Sequence, residues 1–169
     1  AMSGDKAHAR RTGAALEKMA WDGLVASKGN ADMGRLWFGN YVNVASSPQA
    51  LARLAGILDG KSDTAGLQVS QELRWAIIAR LNRYAHPGAA ALVEAESARD
   101  KSDAGQIAAV AAGAARPDAK SKAEWVGRIE DLKTTLPFSR IRTAMTAVFP
   151  PEQGRLDEQD ADARLARLP

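Results

Sequence analysis

The sequence predicts an all-α protein, and three observations carry that prediction. Apolar residues recur at helical spacing along almost the whole chain, as in Leu73, Ile77 and Leu81. Alanine is abundant, whereas the β-branched residues that favour strands are scarce. Serines suited to helix capping, prolines and glycine-bounded turns follow one another at short intervals. We therefore expect a series of helices and no substantial sheet.

The stretch from Gly66 to Tyr84 is the strongest single helix prediction. Ser70 is placed to cap the helix, because its hydroxyl can accept a hydrogen bond from the free N–H groups of the first turn. Five apolar residues give the helix a face wider than a simple surface stripe: Leu73, Trp75, Ile77, Ile78 and Leu81. We expect this helix to have neighbours on both sides and to be buried at the centre of the fold.

Three helices are predicted before this stretch. The first spans about Lys6 to Ser27 and the second about Asp32 to Ala45. The third follows the pair Ser47-Pro48, which places a capping hydroxyl directly before a proline at the first helical position. The residues expected to face inward are Leu16, Met19, Ala20 and Leu24 in the first helix, Met33, Trp37, Tyr41 and Val44 in the second, and Leu51, Leu54 and Leu58 in the third.

Five further helices are predicted after the central one. His86-Pro87-Gly88 precedes the fifth, Ser102 is expected to cap the sixth, and Arg116-Pro117 separates the sixth from the seventh. Pro150-Pro151 ends the eighth, and a ninth would cover about Glu158 to Leu168. The residues expected to face inward are Leu92 and Val93 in the fifth helix, Ile107, Val110 and Ala114 in the sixth, Trp125, Ile129 and Leu132 in the seventh, and Ile141, Met145 and Val148 in the eighth.

A repeat relates the later helices to one another. Leu73, Ile107 and Ile141 each open an apolar face and lie 34 residues apart, and Leu92 and Val126 on the alternate helices have the same spacing. Tetratricopeptide repeats share this length, but their Trp-x-x-Leu-Gly-x-x-Tyr pattern is absent. The spacing therefore predicts antiparallel helix pairs stacked as a HEAT-like or armadillo-like superhelical array. The alternative is coincidence among alternating helices of similar length.

Length and composition restrict the class of protein. The 169 residues fit one domain, which we expect to cover residues 6–169. Ala1 precedes Met2, so residues 1–5 are expected to be a tag remnant and disordered start. The chain ends on Leu168-Pro169 directly after an amphipathic run, so we expect it to be a fragment of a larger protein. The chain has no cysteine, which excludes thiol catalysis and disulfides and is compatible with the cytoplasmic location that we expect.

Two classes of partner are not expected. No apolar run approaches the roughly 20 residues that a membrane helix requires. The net charge of +3 is spread over many helices rather than gathered in one basic stripe, which argues against nucleic-acid binding.

A series of short motifs occurs in order between about Ser46 and Phe149. They are Leu54-Ala55-Gly56-Ile57-Leu58-Asp59-Gly60, Gly66-Leu67-x-Val69, Leu73-Arg74-Trp75, Ala98-Arg99-Asp100-x-Ser102-Asp103-x-Gly105, Ala114-Ala115-Arg116-Pro117 and Lys120-x-Lys122-Ala123-Glu124-Trp125. In this order and spacing the chain resembles the C-terminal helical domain of bacterial aminopeptidase N. That zinc metallopeptidase family also includes the endoplasmic-reticulum aminopeptidases. The resemblance covers over half of the chain.

The resemblance implies a non-catalytic domain of a zinc exopeptidase. In that family the C-terminal domain packs against the catalytic domain, walls off the active-site chamber and limits substrates to peptides. The partners implied are the catalytic domain of the same parent chain and a peptide substrate, and the zinc ion belongs to the catalytic domain. A function of a different class stays open as the alternative: the chain would be a free-standing helical-repeat adaptor that binds a protein partner on its concave face.

No catalytic, metal-binding or cofactor-binding residue is predicted in this chain. The only histidines are His8 and His86, and neither lies in His-Glu-x-x-His, which places two imidazoles on one helix face beside a general base. The Gly-x-Met-Glu-Asn segment of the family is also absent. Glu94 and Glu96 are two residues apart on a helix, so they point in different directions and make a poor acid and base pair.

Four residues are candidates for contact with a peptide or with another domain: Trp37, Tyr41, Arg74 and Trp75. Tryptophans can line a groove, although anchoring the core is the commoner role for such a residue on an amphipathic helix. Arg74 could pair with a peptide carboxylate, or it could bond the last carbonyls of a neighbouring helix. Both alternatives stay open for each residue.

Overall fold

A computed structural model of the protein describes residues 2–150 and 153, with side chains from position 8 onward except that of residue 9. The described residues form eight α-helices and no strand, which confirms the all-α prediction. The helices are α1 (Met2–Ala26), α2 (Ala31–Val44), α3 (Pro48–Leu58), α4 (Gln71–Arg83), α5 (Ala89–Arg99), α6 (Asp103–Ala114), α7 (Ala119–Glu130) and α8 (Phe138–Ala147). The ninth helix, predicted near Glu158 to Leu168, lies outside the described residues. None of the described helices combines the length and the apolar character of a membrane span.

The chain divides into two compact units, Ala1–Leu81 and Asn82–Pro169. The first unit contains α1 to α3 and most of α4, and the second contains the end of α4 and α5 to α8. Residues 2–5, which were expected to belong to a disordered start, lie in α1. The single domain predicted over residues 6–169 stays a prediction.

Polar side chains begin most of the helices. The hydroxyl of Ser47 accepts a hydrogen bond from the Ala50 N–H at 3.1 Å, with Pro48 at the first helical position, and the hydroxyl of Ser102 accepts from the Gly105 N–H at 3.0 Å. The hydroxyl of Ser70 accepts from the Leu73 N–H at 3.3 Å. All three predicted caps are therefore confirmed. Two further caps, which the sequence analysis did not identify, are Asn30 on α2 and Asp118 on α7.

The core of the first unit is built from one face of each of its four helices. In α4 the prediction holds for Ile77, Ile78 and Leu81, which are fully buried, whereas Leu73 is only partly buried. The other large buried side chains of this core are Leu24, Phe38, Tyr41, Leu51, Leu54, Ile57 and Trp75. Leu58, predicted to face inward, is partly buried, and Ile57 takes the inward position beside it.

The inward face predicted for α1 is partly wrong. Ala20 and Leu24 are buried, but Leu16 is 41% and Met19 is 55% exposed. The buried face includes a carboxylate instead, because Glu17 lies one turn before Ala20 and points into the unit. A prediction based on apolar residues alone leaves Glu17 out of the buried face. The predicted inward face of α1 is therefore rotated away from the observed one.

The inward face predicted for α2 is displaced for a related reason. Met33 is exposed and Val44 is only partly buried, whereas Gly34, Phe38 and Val42 are buried. Gly34 packs beside Leu67 and Leu24: a Cβ there would lie 3.6 Å from a methyl of Leu67, an ordinary van der Waals contact. A glycine contributes nothing to a hydrophobic pattern, so its buried position is invisible in the sequence.

The second unit has a smaller core, in which α6 packs against α5, α7 and α8. Its buried centre consists of Ala114, Val126, Ala144 and Val148, with Val110, Trp125 and Ile129 packed around it. Leu132 and Met145 were expected to face inward and are exposed. Leu132 follows the end of α7, which stops at Glu130, so the helical phase no longer holds there.

A pair of substitutions in α1 tests the corrected face. Leu24→Ala removes a fully buried side chain and should lower the free energy of unfolding by about 2–5 kcal/mol. Met19→Ala removes a similar number of atoms from an exposed position and should change the free energy of unfolding by no more than about 0.5 kcal/mol. Denaturant midpoints of the two variants give the comparison, and equal losses would show that Met19 is part of a core.

Candidate functional site

The four residues predicted to contact a peptide or another domain all lie in the first unit, in different environments. Tyr41 is 1% and Trp75 is 6% exposed, so both are core side chains. Trp37 is partly buried, with its ring against α1 where Gly23 leaves room: a Cβ on Gly23 would overlap that ring. Arg74 is partly buried in the first turns of α4. Their roles in contact stay predictions.

Tyr41 belongs to an aromatic and cationic cluster that opens to a cavity of about 340 Å³. The rings of Trp21 and Tyr41 meet edge to face with centroids 5.0 Å apart, and the guanidinium carbon of Arg53 lies 4.2 Å from the Trp21 centroid. Burial raises the pKa of Tyr41 above its ordinary value, although the charge of Arg53 and a hydrogen bond to it act in the opposite direction. Tyr41 therefore keeps its proton at neutral pH and does not act as a base.

Glu17 is the most completely bonded carboxylate of the first unit, and the sequence analysis did not single it out. It is 7% exposed and accepts from both backbone N–H groups of Ser46 and Ser47, at 2.7 and 2.8 Å, and from both hydroxyls, at 3.2 and 2.6 Å. Because Ser47 caps α3, the negative charge lies at the N-terminus of that helix, where the helix dipole favours an anion.

The surroundings of Glu17 fix its protonation state. Burial by itself would raise the pKa of this carboxyl group, but the hydrogen bonds from Ser47 and Ser46 outweigh burial and hold the pKa below its ordinary value of 4.5. Glu17 is therefore ionised at neutral pH and is not suited to act as a general acid. It joins α1 to the start of α3. The signal for it in the sequence is its position one turn before Ala20, together with the Ser46-Ser47 pair of donors.

Polar side chains in both units bond the carbonyl groups at the C-terminal ends of helices. In the first unit, the Arg80 guanidinium donates to the carbonyl of Ala45, the C-cap of α2, at 2.6 Å. This is the capping role that the sequence analysis considered for Arg74. In the second unit, the buried Lys122 ammonium donates to the carbonyls of Ala114, at 3.2 Å, and of Val148. These bonds link each side chain to the end of a neighbouring helix.

Two further polar residues of the second unit have the same role. The Asn82 amide donates to the carbonyl of Ala112. The Gln153 amide donates to the carbonyls of Arg83, at 3.1 Å, and of Ala115, at 2.9 Å. Each bond satisfies a carbonyl at or near the end of α4 or α6, a position where helices leave backbone acceptors without partners.

The two glutamates of α5 that were considered as an acid and base pair do not converge. Glu94 is exposed while Glu96 is buried and paired with Arg99, so the two side chains diverge as expected. Among the side chains that the structure describes, no three from histidine, cysteine, aspartate or glutamate come close enough to hold a metal ion together.

A groove of about 490 Å³ in the second unit is lined by residues of α5, α6, α7 and α8 and by the segment before α8. Its apolar wall consists of Val93, Val110, Trp125 and Leu136, and its charged lining residues are Glu94, Lys101, Arg128 and Arg140. The guanidinium carbon of Arg128 lies 4.8 Å from the centroid of the Trp125 ring. The groove is open to solvent and combines an apolar wall with charged groups.

The carboxylate of Glu17 should make stability depend on pH. Because its pKa is depressed in the folded state, its stabilising effect is present above about 4.5 and is lost as the pH falls through the folded-state pKa. Glu17→Gln should lower the free energy of unfolding by about 2 kcal/mol at pH 7, and the gap to the unmodified chain should shrink in acid. Urea denaturation from pH 7 to pH 3 measures the gap.

The control for this test is Asp22→Asn, which removes an exposed carboxylate of the same helix. Its effect on the free energy of unfolding should stay within about 0.5 kcal/mol at every pH. A Glu17→Gln gap that does not change with pH would show that the carboxylate has no depressed pKa.

The comparison with known proteins gives a relative. No protein-family model matches the chain. Over 111 residues, which make up 65% of the chain, the sequence is 37% identical to aminopeptidase N of Streptomyces lividans. The match spans 13% of the length of that protein. A 37% identity over two-thirds of the chain supports a relationship to aminopeptidase N, and its small share of the relative is consistent with a domain.

Proposed function

We propose that this chain is the non-catalytic, C-terminal helical domain of an aminopeptidase N-type zinc exopeptidase. It packs on the catalytic domain of the same parent chain and restricts the access of peptides to the active site. The observation that carries the proposal is the 37% identity to aminopeptidase N over a segment that makes up only 13% of that protein. Zinc is held by the catalytic domain, and the parent enzyme is cytoplasmic.

The polar side chains of the two units support a scaffolding role. Glu17 and Lys122 are ionisable groups almost removed from solvent, yet each is engaged with backbone groups at helix ends. A catalytic group needs a polar atom directed at a substrate. These groups direct their polar atoms at the chain itself, which is what a rigid, non-catalytic wall requires.

The bonds between helix ends also support the repeat architecture. Gln153 bonds Arg83, the last residue of α4, and Ala115, the C-cap of α6. Lys122 bonds Ala114, the last residue of α6, and Val148, the C-cap of α8, which are 34 residues apart. The C-terminal ends of alternate helices are therefore brought together by shared donors. Stacked helix pairs, in which every second helix runs in the same direction, have this property. We infer a HEAT-like layer on this basis.

A chimaera tests the proposed function. In the aminopeptidase N of Streptomyces lividans, the segment aligned with this chain is replaced by the corresponding residues of this chain. We expect the chimaera to hydrolyse a small aminoacyl substrate and to leave the N-terminus of a folded protein intact. We expect the isolated chain to hydrolyse neither substrate and to bind no stoichiometric zinc, because its sequence lacks His-Glu-x-x-His.

Two controls make the outcome interpretable. Thermal unfolding of the chimaera shows that it is folded, and a version with the segment deleted shows what the segment contributes. If the folded chimaera attacks the folded protein as fast as the deleted version, the segment does not restrict access. Zinc-dependent peptidase activity of the isolated chain would also contradict the proposal.

The second candidate function is a free-standing adaptor that binds a protein partner. The groove of the second unit favours it, because a Trp125 wall and several cations are present without any catalytic group. A parent open reading frame that contains no His-Glu-x-x-His would support the adaptor over the peptidase domain.

A further inference from the structure

The groove of the second unit carries an excess of positive charge. Lys101, Arg128 and Arg140 line it against a single anionic residue, Glu94. Lys101 is exposed in the segment between α5 and α6, Arg128 lies in the last turn of α7, and Arg140 lies in the first turn of α8. Three separate segments therefore direct cationic residues to one groove, although the whole chain has a net charge of only +3.

The cations of the groove are incompletely paired. Within the described part of the chain, neither Lys101 nor Arg128 has an ion-pair partner. Arg140 lies 3.6 Å from a carboxylate oxygen of Asp103, which is largely exposed, and its buried Nε makes no hydrogen bond to the described residues. Buried N–H groups of arginine are normally satisfied, so the polar groups of Arg140 are only partly engaged within the described chain.

The wall beside these cations is apolar and aromatic. Trp125 is partly buried, and Arg128 lies over its ring, an arrangement that positions the guanidinium and leaves its N–H edge free to bond a carboxylate. Val93 and Leu136 complete the apolar wall. A ligand that fills this groove must therefore offer carboxylates and, between or beside them, an apolar side chain.

We propose that the groove binds an acidic peptide segment in which carboxylate side chains flank an apolar residue. Arg128 and Arg140 bind the carboxylates, because a guanidinium matches the planar geometry of a carboxylate in two parallel hydrogen bonds. Lys101 adds an unpaired charge, and the apolar side chain lies against Trp125. This site does not depend on the proposed peptidase relationship, since it rests on residues of the second unit alone.

The test uses the full chain and an unlabelled peptide of alternating glutamate and leucine, acetylated and amidated so that only side chains carry charge. Isothermal titration calorimetry measures its affinity. Arg128→Gln and Arg140→Gln should each weaken binding by about five- to tenfold. Replacing every glutamate of the peptide with glutamine should abolish measurable binding, and raising the salt concentration should weaken binding because part of the attraction is screened.

The matched control is Arg142→Gln, which removes the same charge from an exposed position of α8 outside the groove. We expect it to leave the affinity unchanged within twofold. If Arg142→Gln weakens binding as much as Arg128→Gln, the peptide is attracted by the overall charge and the site is wrong. Equal binding of the glutamine peptide would show that carboxylates are not recognised. Circular dichroism of each variant shows that the helices are intact.

Discussion

The unsatisfied backbone groups at helix ends are the constraint on which each unit depends. A helix leaves several N–H groups at its start and several carbonyls at its finish without internal partners, and a helix end that is buried must find them elsewhere. Short helices make this constraint severe, because α3, α5 and α8 contain only 11, 11 and 10 residues. The protein meets it with long polar side chains from neighbouring helices. Glu17 bonds the start of α3, Arg80 the end of α2, and Lys122 the ends of α6 and α8.

This solution has a consequence for function. Polar groups that bond helix ends are held in place by backbone partners, so they stiffen the packing and direct their polar atoms at the chain itself. The buried ionisable residues therefore explain the architecture, and the chemistry open to the protein lies at surfaces. The groove beside Trp125 differs from the helix-end sites because its cations are incompletely paired. A domain that forms a wall of a larger enzyme and a domain that binds an acidic partner both require this combination of a stiff interior and a selective surface.

The sequence predicted those features that depend on local spacing. Helix positions and the caps at Ser47, Ser70 and Ser102 follow from periodicity and from side-chain chemistry within one turn, and they are confirmed. The predicted inward faces of α1 and α2 were displaced because Glu17 and Gly34 are buried against residues elsewhere in the chain. Partners 29 or 30 residues away, such as Ser46 and Ser47 for Glu17, cannot be read from a periodic pattern. The groove was missed because its cations come from three segments that are separated in the sequence, and periodicity within one helix does not show that they line one groove.

The stability of a Lys122→Met variant tests the central claim most directly. Methionine keeps much of the length and apolar surface of lysine but leaves the carbonyls of Ala114 and Val148 without their donor. The helix-end account predicts a loss of about 2 kcal/mol or more in the free energy of unfolding, since an unsatisfied buried acceptor costs about 1–3 kcal/mol. Lys120→Met, an exposed change two residues away on the same helix, should cost less than about 0.5 kcal/mol. If chemical denaturation finds the two variants equally stable, helix-end bonding does not hold the second unit together.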